Sequence, residues 1–285
     1  MNTNQPTLKT AWEYYQRASE HFCEEEFDKA EEDCTESILR DETFRQAWFL
    51  RGDIYSETGK HGPAIENFMQ TLRLLSTERF FPGDRQCCES VILCRIANVN
   101  LAQGNLEEAI RNAGVSAELM ENYTFIKDFC EPWYIQGVAW LKKGDIENAL
   151  RCFGKAMEKD VYDFYHLSSL LGRARILRKL WRVDEALDDC NTVLQHDSCH
   201  AEAFVERACC RCAAAFEWSN EDLEDLRTAV KLSPKHPEAR AMLADCLFGT
   251  GRLEEAGEAA AKALALNSGN EKRAVRLGNI MAASQ

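Results

Sequence analysis

The sequence is poor in the residues that build linkers, and it contains no long apolar run. Only 6 prolines and 15 glycines occur among 285 residues, and such a composition indicates continuous folded structure rather than disordered tails. No apolar run reaches the roughly 18 residues that are needed to cross a bilayer. We therefore expect a protein that does not insert directly into a membrane.

Positive charge is also scarce. Lysine and arginine number 34 against 47 aspartates and glutamates, which gives a formal net charge of -13. Because a nucleic-acid-binding surface needs a basic face, we expect no nucleic-acid partner. The first residues lack the basic and apolar regions of a secretory signal, so we expect a cytoplasmic or nuclear protein that is not secreted.

Signatures of catalysis are missing as well. The sequence contains no Walker loop, no HExxH zinc motif and no GxSxG nucleophile motif. Gly249 and Gly251 imitate the start of a dinucleotide-binding loop, but the third glycine of that motif is absent. We therefore expect no enzymatic activity and no cofactor.

Cysteine, by contrast, is abundant. The count of 13 is odd, so the cysteines cannot all pair, and a reducing compartment would keep them as thiols. A zinc- or thiol-dependent enzyme is the competing class of protein, with Cys87 and Cys88 as a weak redox candidate. The candidate zinc ligands are His196, Cys199, His200, Cys209 and Cys212. Since no Cys-x2-Cys pair repeats, we predict a metal-free protein whose aligned cysteines pack as small apolar side chains.

One stretch of the sequence has the pattern of a helical hairpin. Trp133, Gly137 and Trp140 recur at helical spacing, a Gly-Asp turn follows, and Ala149 and Phe153 belong to a second apolar stripe. Large aromatic residues face small ones, so that two helices can approach closely. The spacing W-x3-G-x2-W-x3-G-x-I-x2-A-x3-F-x2-A resembles a tetratricopeptide (TPR) unit, which is a helix-turn-helix of about 34 residues.

The same pattern recurs along the chain. The units can be aligned on the position that Ala149 fills, four residues after the Gly-Asp turn. Six units have alanine at this position, and the remaining one has Asp222. We predict an all-α fold, a TPR α-solenoid, in a single domain over residues 1–285. The resemblance implies a right-handed superhelix of about seven repeats that ends in a C-terminal capping helix. The predicted repeats span residues 11–44, 45–78, 90–123, 130–163, 167–200, 201–236 and 237–270, and the capping helix spans 271–285.

The largest insertion between the predicted repeats contains Phe80 and Phe81. The Pro-Gly that follows them interrupts any helix that continues from the second unit. The two phenylalanines either contact a partner or seal the longer hairpin against its neighbour, and packing is the favoured interpretation.

The resemblance also implies which residues meet a ligand. In TPR proteins the first helices line the concave face, and the residues at the fifth, ninth and twelfth places of a unit project into it. On this basis the predicted partner-binding residues are Tyr134, Val138, Leu141, Leu171, Arg175 and Arg178. Secondary candidates are Tyr15, Phe22 and Phe49, together with Phe80 and Phe81 of the insertion.

The charges of the fifth unit indicate the chemistry of the partner. Between Leu171 and Arg182 there are five lysines or arginines and no acid, in a chain that is acidic overall. A solvated basic helix would show the same pattern. If Arg175 and Arg178 face the groove, they fit an acidic or mixed acidic-apolar segment, because arginine binds a carboxylate through two parallel hydrogen bonds.

The resemblance thus implies a non-catalytic scaffold or adaptor that holds a segment of a partner protein in its groove within a larger assembly. The alternative binding role is a co-chaperone that clamps the acidic tail of Hsp70 or Hsp90. That clamp uses lysine and asparagine at places that here carry Tyr15 with Ser19 and Phe49 with Asp53. A co-chaperone with an altered clamp is therefore the weaker hypothesis.

Overall fold

The structure is a computed structural model of the chain, and it describes residues 10–77, 84–121, 129–158, 164–266 and 271–283. Within these ranges the chain is helical and has no strand, so the predicted all-α class is confirmed. None of the helices in these ranges combines the length and the apolar character that crossing a bilayer requires.

Fifteen helices follow one another in the described part of the chain. Their bounds are α1 (Ala11–Cys23), α2 (Phe27–Arg40), α3 (Arg45–Glu57), α4 (His61–Thr77), α5 (Asp84–Gln103), α6 (Leu106–Glu121), α7 (Glu131–Lys143), α8 (Ile146–Met157), α9 (Phe164–Lys179), α10 (Val183–His196), α11 (Ala201–Ala215), α12 (Asn220–Leu232), α13 (Pro237–Gly249), α14 (Leu253–Leu266) and α15 (Glu271–Ala283).

The first fourteen helices form hairpins in chain order. Six of these pairs pack along their length, and in the remaining pair the ring of Tyr134 on α7 lies 6.3 Å from that of Phe153 on α8. Two first helices begin earlier than the predicted repeats. α5 begins at Asp84 rather than at residue 90, because an acidic side chain in the first turn favours a helix start there. α9 begins at Phe164 rather than at residue 167.

The chain divides into two compact units, Met1–Lys155 and Ala156–Gln285. In the first unit the buried core includes Phe68, Ile92 and Ile135, and in the second it includes Leu223 and Leu226. Each unit therefore has an apolar interior of its own. A single domain over residues 1–285 stays a prediction.

The two helices of a hairpin approach most closely where a glycine faces an aromatic ring. A Cβ atom added to Gly137 would lie 2.6 Å from the ring of Phe153, and one added to Gly52 would lie 2.6 Å from the ring of Phe68. Such a distance is far below van der Waals contact, so no larger residue fits without moving the ring. The predicted packing of large aromatics against small residues is present in both hairpins.

Each of the seven hairpin turns contains one residue with a left-handed backbone. Four of the turns use glycine, which adopts positive φ without steric cost. The other three use Glu25, Trp181 and Phe216, at φ values of 58°, 62° and 59°. A side chain in this conformation costs roughly 1–2 kcal/mol relative to glycine. The choice of Trp181 and Phe216 is therefore not explained by the geometry of the turn.

Four hairpins are braced by a polar pair that joins their two helices. In each, an arginine of the first helix donates to an aspartate or asparagine of the second helix. In the hairpin α9–α10, for example, Arg173 donates from Nε to Oδ2 of Asp189 over 2.8 Å and from Nη2 to Oδ1 over 2.5 Å. The four pairs are Arg17–Asp33, Arg51–Asn67, Arg173–Asp189 and Arg207–Asp225.

The helix α15 closes the apolar face of the last hairpin. Leu277 and Ile280 are 2% and 4% exposed, and they belong to the same core as residues of α13 and α14. Val275 is 65% exposed, and the Nε atom of Arg276 lies 2.7 Å from Oδ1 of Asp245 on α13. This helix has the two-faced character that a solenoid end requires.

Candidate partner-binding surfaces

The first helices of the N-terminal unit carry a half-exposed aromatic cluster. The ring of Tyr15 lies 5.6 Å from that of Trp12 and 5.4 Å from that of Phe44. Trp12 is 52% exposed, so the cluster offers an open ring to a partner. The sequence predicted Tyr15 but missed Trp12 and Phe44, although Trp12 lies one helical turn before Tyr15.

The other predicted aromatics of this unit contribute to packing as well. Phe22 and Tyr15 pack against the core of the first hairpin, and Phe49 packs against that of the second. All three are only half-buried, so each side chain can serve both the core and a contact surface. Phe80 and Phe81 lie outside the described residues.

A charged network crosses the first helices of the same unit. Arg95 on α5 lies between two carboxylates, with Nε 3.4 Å from Oδ1 of Asp53 on α3 and Nη1 3.1 Å from Oε1 of Glu131 on α7. Asn98 also donates to Oε1 of Glu131, over 3.2 Å. Burial raises the pKa of Asp53 to about 6, although Arg95 opposes the shift. The place that would carry an asparagine in a chaperone-tail clamp is thus held by an acid.

The predicted apolar contacts on α7 are partly accessible. Tyr134, Val138 and Leu141 are half-buried, and the first two pack against the core that α5, α6 and α7 share. Leu171 differs, because it is 2% exposed and belongs to the core of the hairpin α9–α10. Leu171 supports the helix that carries the arginines and offers no surface for direct contact.

Arg175 and Arg178 lie together on α9, but each has an acidic partner on α11. Nη2 of Arg175 donates to Oε2 of Glu202 over 2.8 Å, and Nε of Arg178 donates to Oε1 of Glu206 over 2.6 Å. Burial acts to lower the pKa of Arg178, but the hydrogen bond and charge of Glu206 outweigh it and raise that pKa above its ordinary value.

The basic stretch seen in the sequence is therefore mostly neutralised in the fold. Arg173 is paired with Asp189, and Arg182 with Glu185. These acids were not expected from the sequence, because they lie on the next helix or two helices away, beyond the stretch in which charges were counted. Among the described residues, only Lys179 of the five cations has no acidic partner.

One feature of Arg178 suits it for binding an anion. Its bond to Glu206 uses Nε alone, and Nη1 and Nη2 have no hydrogen-bond partner in the part of the chain that the structure describes. The side chain is 28% exposed, whereas that of Glu206 is 6% exposed. A buried carboxylate thus fixes the guanidinium and leaves its terminal nitrogens for a ligand.

The structure does not gather the proposed zinc ligands. Within the described ranges, a group of three possible ligand atoms within 4.8 Å of one another is formed by His21, Glu24 and Glu26, and not by the residues at 196–212. Lys29 Nζ already lies 2.7 Å from Glu26 and neutralises it.

The cysteines mostly behave as apolar side chains. Seven of them are buried, and all thirteen are free thiols. Burial raises the pKa of Cys34 and of Cys246 to about 12, so these thiols stay protonated and unreactive near neutral pH.

Comparison with known proteins identifies the type of repeat. Two family models, both described as tetratricopeptide repeat, match residues 223–277 and residues 46–74. A search among curated proteins gives no significant match. Sequence comparison thus supports the repeat and names no partner.

Solved structures share the fold over most of the chain. A tetratricopeptide repeat protein from Parabacteroides merdae has a TM-score of 0.67 at 15% identity, covering 96% of this chain and 98% of that one. A chain of the APC/C hetero-tetramer Cut9-Hcn1 has a TM-score of 0.65 at 19% identity, covering 84% and 43% respectively. PilF from Pseudomonas aeruginosa has a TM-score of 0.63 at 15% identity, covering 82% and 97%.

At these identities the shared fold carries no information about ligands. The hairpins with their glycine-aromatic contacts, the helix α15 and the two family models agree with one another, and the predicted TPR solenoid is confirmed. The two family models, each matching part of the chain, and the shared fold together support a protein of the tetratricopeptide repeat superfamily.

Proposed function

We propose that this chain is a non-catalytic scaffold that holds a segment of a partner protein on the exposed faces of its first helices. The TPR fold in general serves protein-protein interaction. We further propose that the segment is acidic or mixed acidic-apolar and that Arg178, with Arg175, supplies its charged contacts. The observation that supports this chemistry is that Arg178 bonds to Glu206 through Nε alone.

The geometry around Arg178 favours a carboxylate. A guanidinium can donate two parallel hydrogen bonds to one carboxylate, and such charge-assisted pairs are stronger than neutral ones. Nη1 and Nη2 of Arg178 are available for this, while Glu206 holds the side chain in place. Partial burial also reduces screening by salt relative to an open surface.

Arg175 can join the site if its own partner moves. Glu202 is 44% exposed and is bonded to Arg175 through one oxygen, so an incoming carboxylate can replace it while Nε of Arg175 stays 3.5 Å from Oε2 of the buried Glu206. In the N-terminal unit, Tyr134, Val138 and Leu141 remain the proposed apolar contacts, with Tyr15, Phe22 and Phe49 as secondary ones. Phe80 and Phe81 remain proposed contacts of the insertion.

The test uses substitutions that remove the paired N–H donors of the Arg178 guanidinium without adding a negative charge beside Glu206. Arg178→Gln and Arg178→Lys are compared with Arg182→Gln, a matched control in the turn just after α9, whose arginine already has both Nε and Nη2 bonded to Glu185. Binding is measured by fluorescence anisotropy on synthetic peptides of glutamate and leucine, and on lysine-leucine peptides of equal length.

We expect the wild-type chain to prefer the glutamate-leucine peptide. Arg178→Gln should weaken this binding by about 2 kcal/mol, or roughly thirtyfold, because one partner of a partly buried charge pair is lost. Arg178→Lys should recover only part of the loss, because the lysine ammonium group keeps the charge but lacks the planar pair of donors that binds both oxygens of a carboxylate. Equal binding by wild type and Arg178→Gln would show that Arg178 serves only to neutralise Glu206.

A further inference from the structure

Two exposed aromatic rings lie stacked on each other at the turn end of consecutive hairpins in the C-terminal unit. Trp181 is in the turn of α9–α10 and Phe216 in that of α11–α12, and their ring centroids lie 5.5 Å apart at an interplanar angle of 27°. Trp181 is 64% exposed, Phe216 is 80% exposed, and the neighbouring Leu180 is 47% exposed. We refer to these three residues as the aromatic edge.

Folding alone does not account for the aromatic edge. Both rings occupy the left-handed turn position that four other hairpins fill with glycine, so each introduces backbone strain that glycine would avoid. Most of their apolar area stays in water, so burial offsets little of that strain. The mutual stacking holds the rings side by side as a ready-made surface, which is the arrangement expected of a contact site.

The charges around the aromatic edge are predominantly negative. The exposed charged residues at the two turns are two cations, Lys179 and Arg182, against four acids, Asp184, Glu185, Glu217 and Glu221. Arg182 is already held by Glu185 through two hydrogen bonds of 2.7 Å. The rim therefore has a surplus of carboxylates, which opposes anionic lipids and nucleic acids and complements a basic partner.

We infer that the aromatic edge is a second binding surface, which takes a basic segment of a partner protein with an arginine or lysine side chain lying over the exposed rings. The faces of tryptophan and phenylalanine attract cations within about 6 Å of the ring centroid. Carboxylates at the rim can pair with further basic residues of the same segment. This surface lies on the turns, whereas Arg178 lies on a helix. The two surfaces also recognise ligands of opposite charge.

Self-association fits the edge less well. With aromatic side chains of about 150–250 Å² each, the two rings expose on the order of 300 Å². A stable interface between two copies buries about 800 Å² on each. The acidic rims of two copies would also repel each other. A short basic segment that places a few side chains on the edge matches the available area better.

The test uses the full chain with Trp181→Gly and Phe216→Gly combined. Because glycine adopts the left-handed conformation without strain, the variant should fold as well as the wild type, with an equal or higher Tm. The matched control is Phe164→Ala, which removes a ring that is 67% exposed at the start of α9. The probes are a labelled peptide of arginine and leucine and a glutamate-leucine peptide of equal length, and binding is followed by anisotropy.

The arginine-leucine peptide should bind the wild type and the Phe164→Ala control equally, and the double glycine variant at least tenfold more weakly. Combined Glu217→Gln and Glu221→Gln should weaken binding several-fold and reduce its salt dependence. Arg178→Gln should leave it unchanged, so failure of this inference is distinguishable from failure of the proposed function. The peptide is titrated up to the millimolar range, so that weak binding is also detected.

Four outcomes would overturn the inference. The first is no binding of the arginine-leucine peptide to the wild type, and the second is equal binding to the double glycine variant. The third is association with phosphatidylcholine vesicles that the double glycine substitution abolishes, which would make the edge a lipid contact. The fourth is a dimer in sedimentation experiments that is lost in the same variant, which would make the edge an interface between copies of this chain.

Discussion

At the residue scale, the hairpins depend on places where no side chain fits. In the hairpin α7–α8, the position of a Cβ on Gly137 lies 2.6 Å from the ring of Phe153. Gly154, on α8 of the same hairpin, has open space around the corresponding point. The two glycines therefore have different roles although both lie within helices.

Substitution of these two glycines should change stability in opposite directions. Gly137→Val should lower the free energy of unfolding by about 1–3 kcal/mol, because the ring or the helix must move. Gly154→Ala should raise it by about 0.5–1 kcal/mol, because alanine is the better helix former and meets no neighbour. Urea unfolding measures both. Equal effects of the two substitutions would count against the close approach at Gly137.

Asp53 gives the N-terminal unit a pH dependence of known sign. Burial raises its pKa to about 6, with Arg95 opposing the shift and Glu57 and Glu131 adding to it. Because the folded state then holds this proton more tightly than the unfolded chain does, the contribution of Asp53 to stability falls as pH rises from about 4 to about 6. Above that range the ionised carboxylate of Asp53 lowers the free energy of unfolding.

Asp53→Asn should therefore flatten the pH dependence of the free energy of unfolding between about pH 4 and 6 and leave stability at neutral pH equal or higher. Asp145→Asn is the control of opposite sign, because hydrogen bonds from Asn148 lower the pKa of Asp145 and its contribution is present above its ordinary pKa. Urea titrations across this range measure both. A steeper profile for Asp53→Asn would contradict the assigned shift.

At the element scale, ion pairs as well as apolar contacts hold the two helices of a hairpin together. The brace between Arg173 and Asp189 joins α9 to α10, and the aspartate side chain is 4% exposed while the arginine is 34% exposed. Removal of one partner of such a pair leaves a poorly solvated charge, whereas removal of both avoids that cost. The exposed pair Arg182–Glu185, by contrast, loses little when it is broken.

Single and paired substitutions test this difference. Arg173→Met should cost about 2–4 kcal/mol of unfolding free energy, because it leaves the buried carboxylate of Asp189 without its partner, and the combined Arg173→Met and Asp189→Leu should recover most of that loss. Glu185→Ala should stay within about 0.5 kcal/mol of the wild type. If Arg173→Met and Glu185→Ala behave alike, the brace contributes no more than a surface pair.

The elements could be predicted from the sequence far better than the braces between them. Helical spacing specifies each hairpin locally, and in four hairpins a turn glycine adds to it, so the repeats can be found without reference to distant residues. The partners of Arg175 and Arg178 are Glu202 and Glu206, and that pairing depends on how α9 packs against α11. A count of nearby charges cannot detect it. The repeated separation of Arg17 from Asp33 and of Arg173 from Asp189 is a usable signal that such a count overlooks.

The aromatic edge escapes prediction for a different reason. Trp181 and Phe216 are ordinary residues in a helical pattern, and what sets them apart is the left-handed backbone that they share with the turn glycines Gly144 and Gly251. Alignment of the repeats singles out Trp181, which falls at the place of Gly144, but it does not single out Phe216, because the sixth unit has two extra residues before Asp222. Their stacking, in contrast, depends on the packing of adjacent hairpins.

At the scale of the whole molecule, the thiols report on how completely the chain is folded. Seven cysteines are buried, four are intermediate, and Cys23 and Cys199 are exposed. Reaction with a thiol reagent requires access and a thiolate, and burial withholds both from residues such as Cys34.

Native protein should thus react first at Cys23 and Cys199, and the seven buried thiols should react only after unfolding. All 13 should be titrated in denaturant under non-oxidising conditions. Mass spectrometry of labelled peptides after short exposures measures the order. Fast labelling of Cys34 or Cys246 in the native protein would contradict the assigned packing.

The helix α15 has a consequence for the behaviour of the C-terminal unit in concentrated solution. A repeat array has no intrinsic length, because each hairpin leaves on its far side the same kind of apolar surface that it covers on its near side. Leu277 and Ile280 fill the surface that α13 and α14 would otherwise present. Without α15, the last hairpin would act as a growing end for other copies, and polymerisation would compete with folding. In this chain a helix of 13 residues covers that surface.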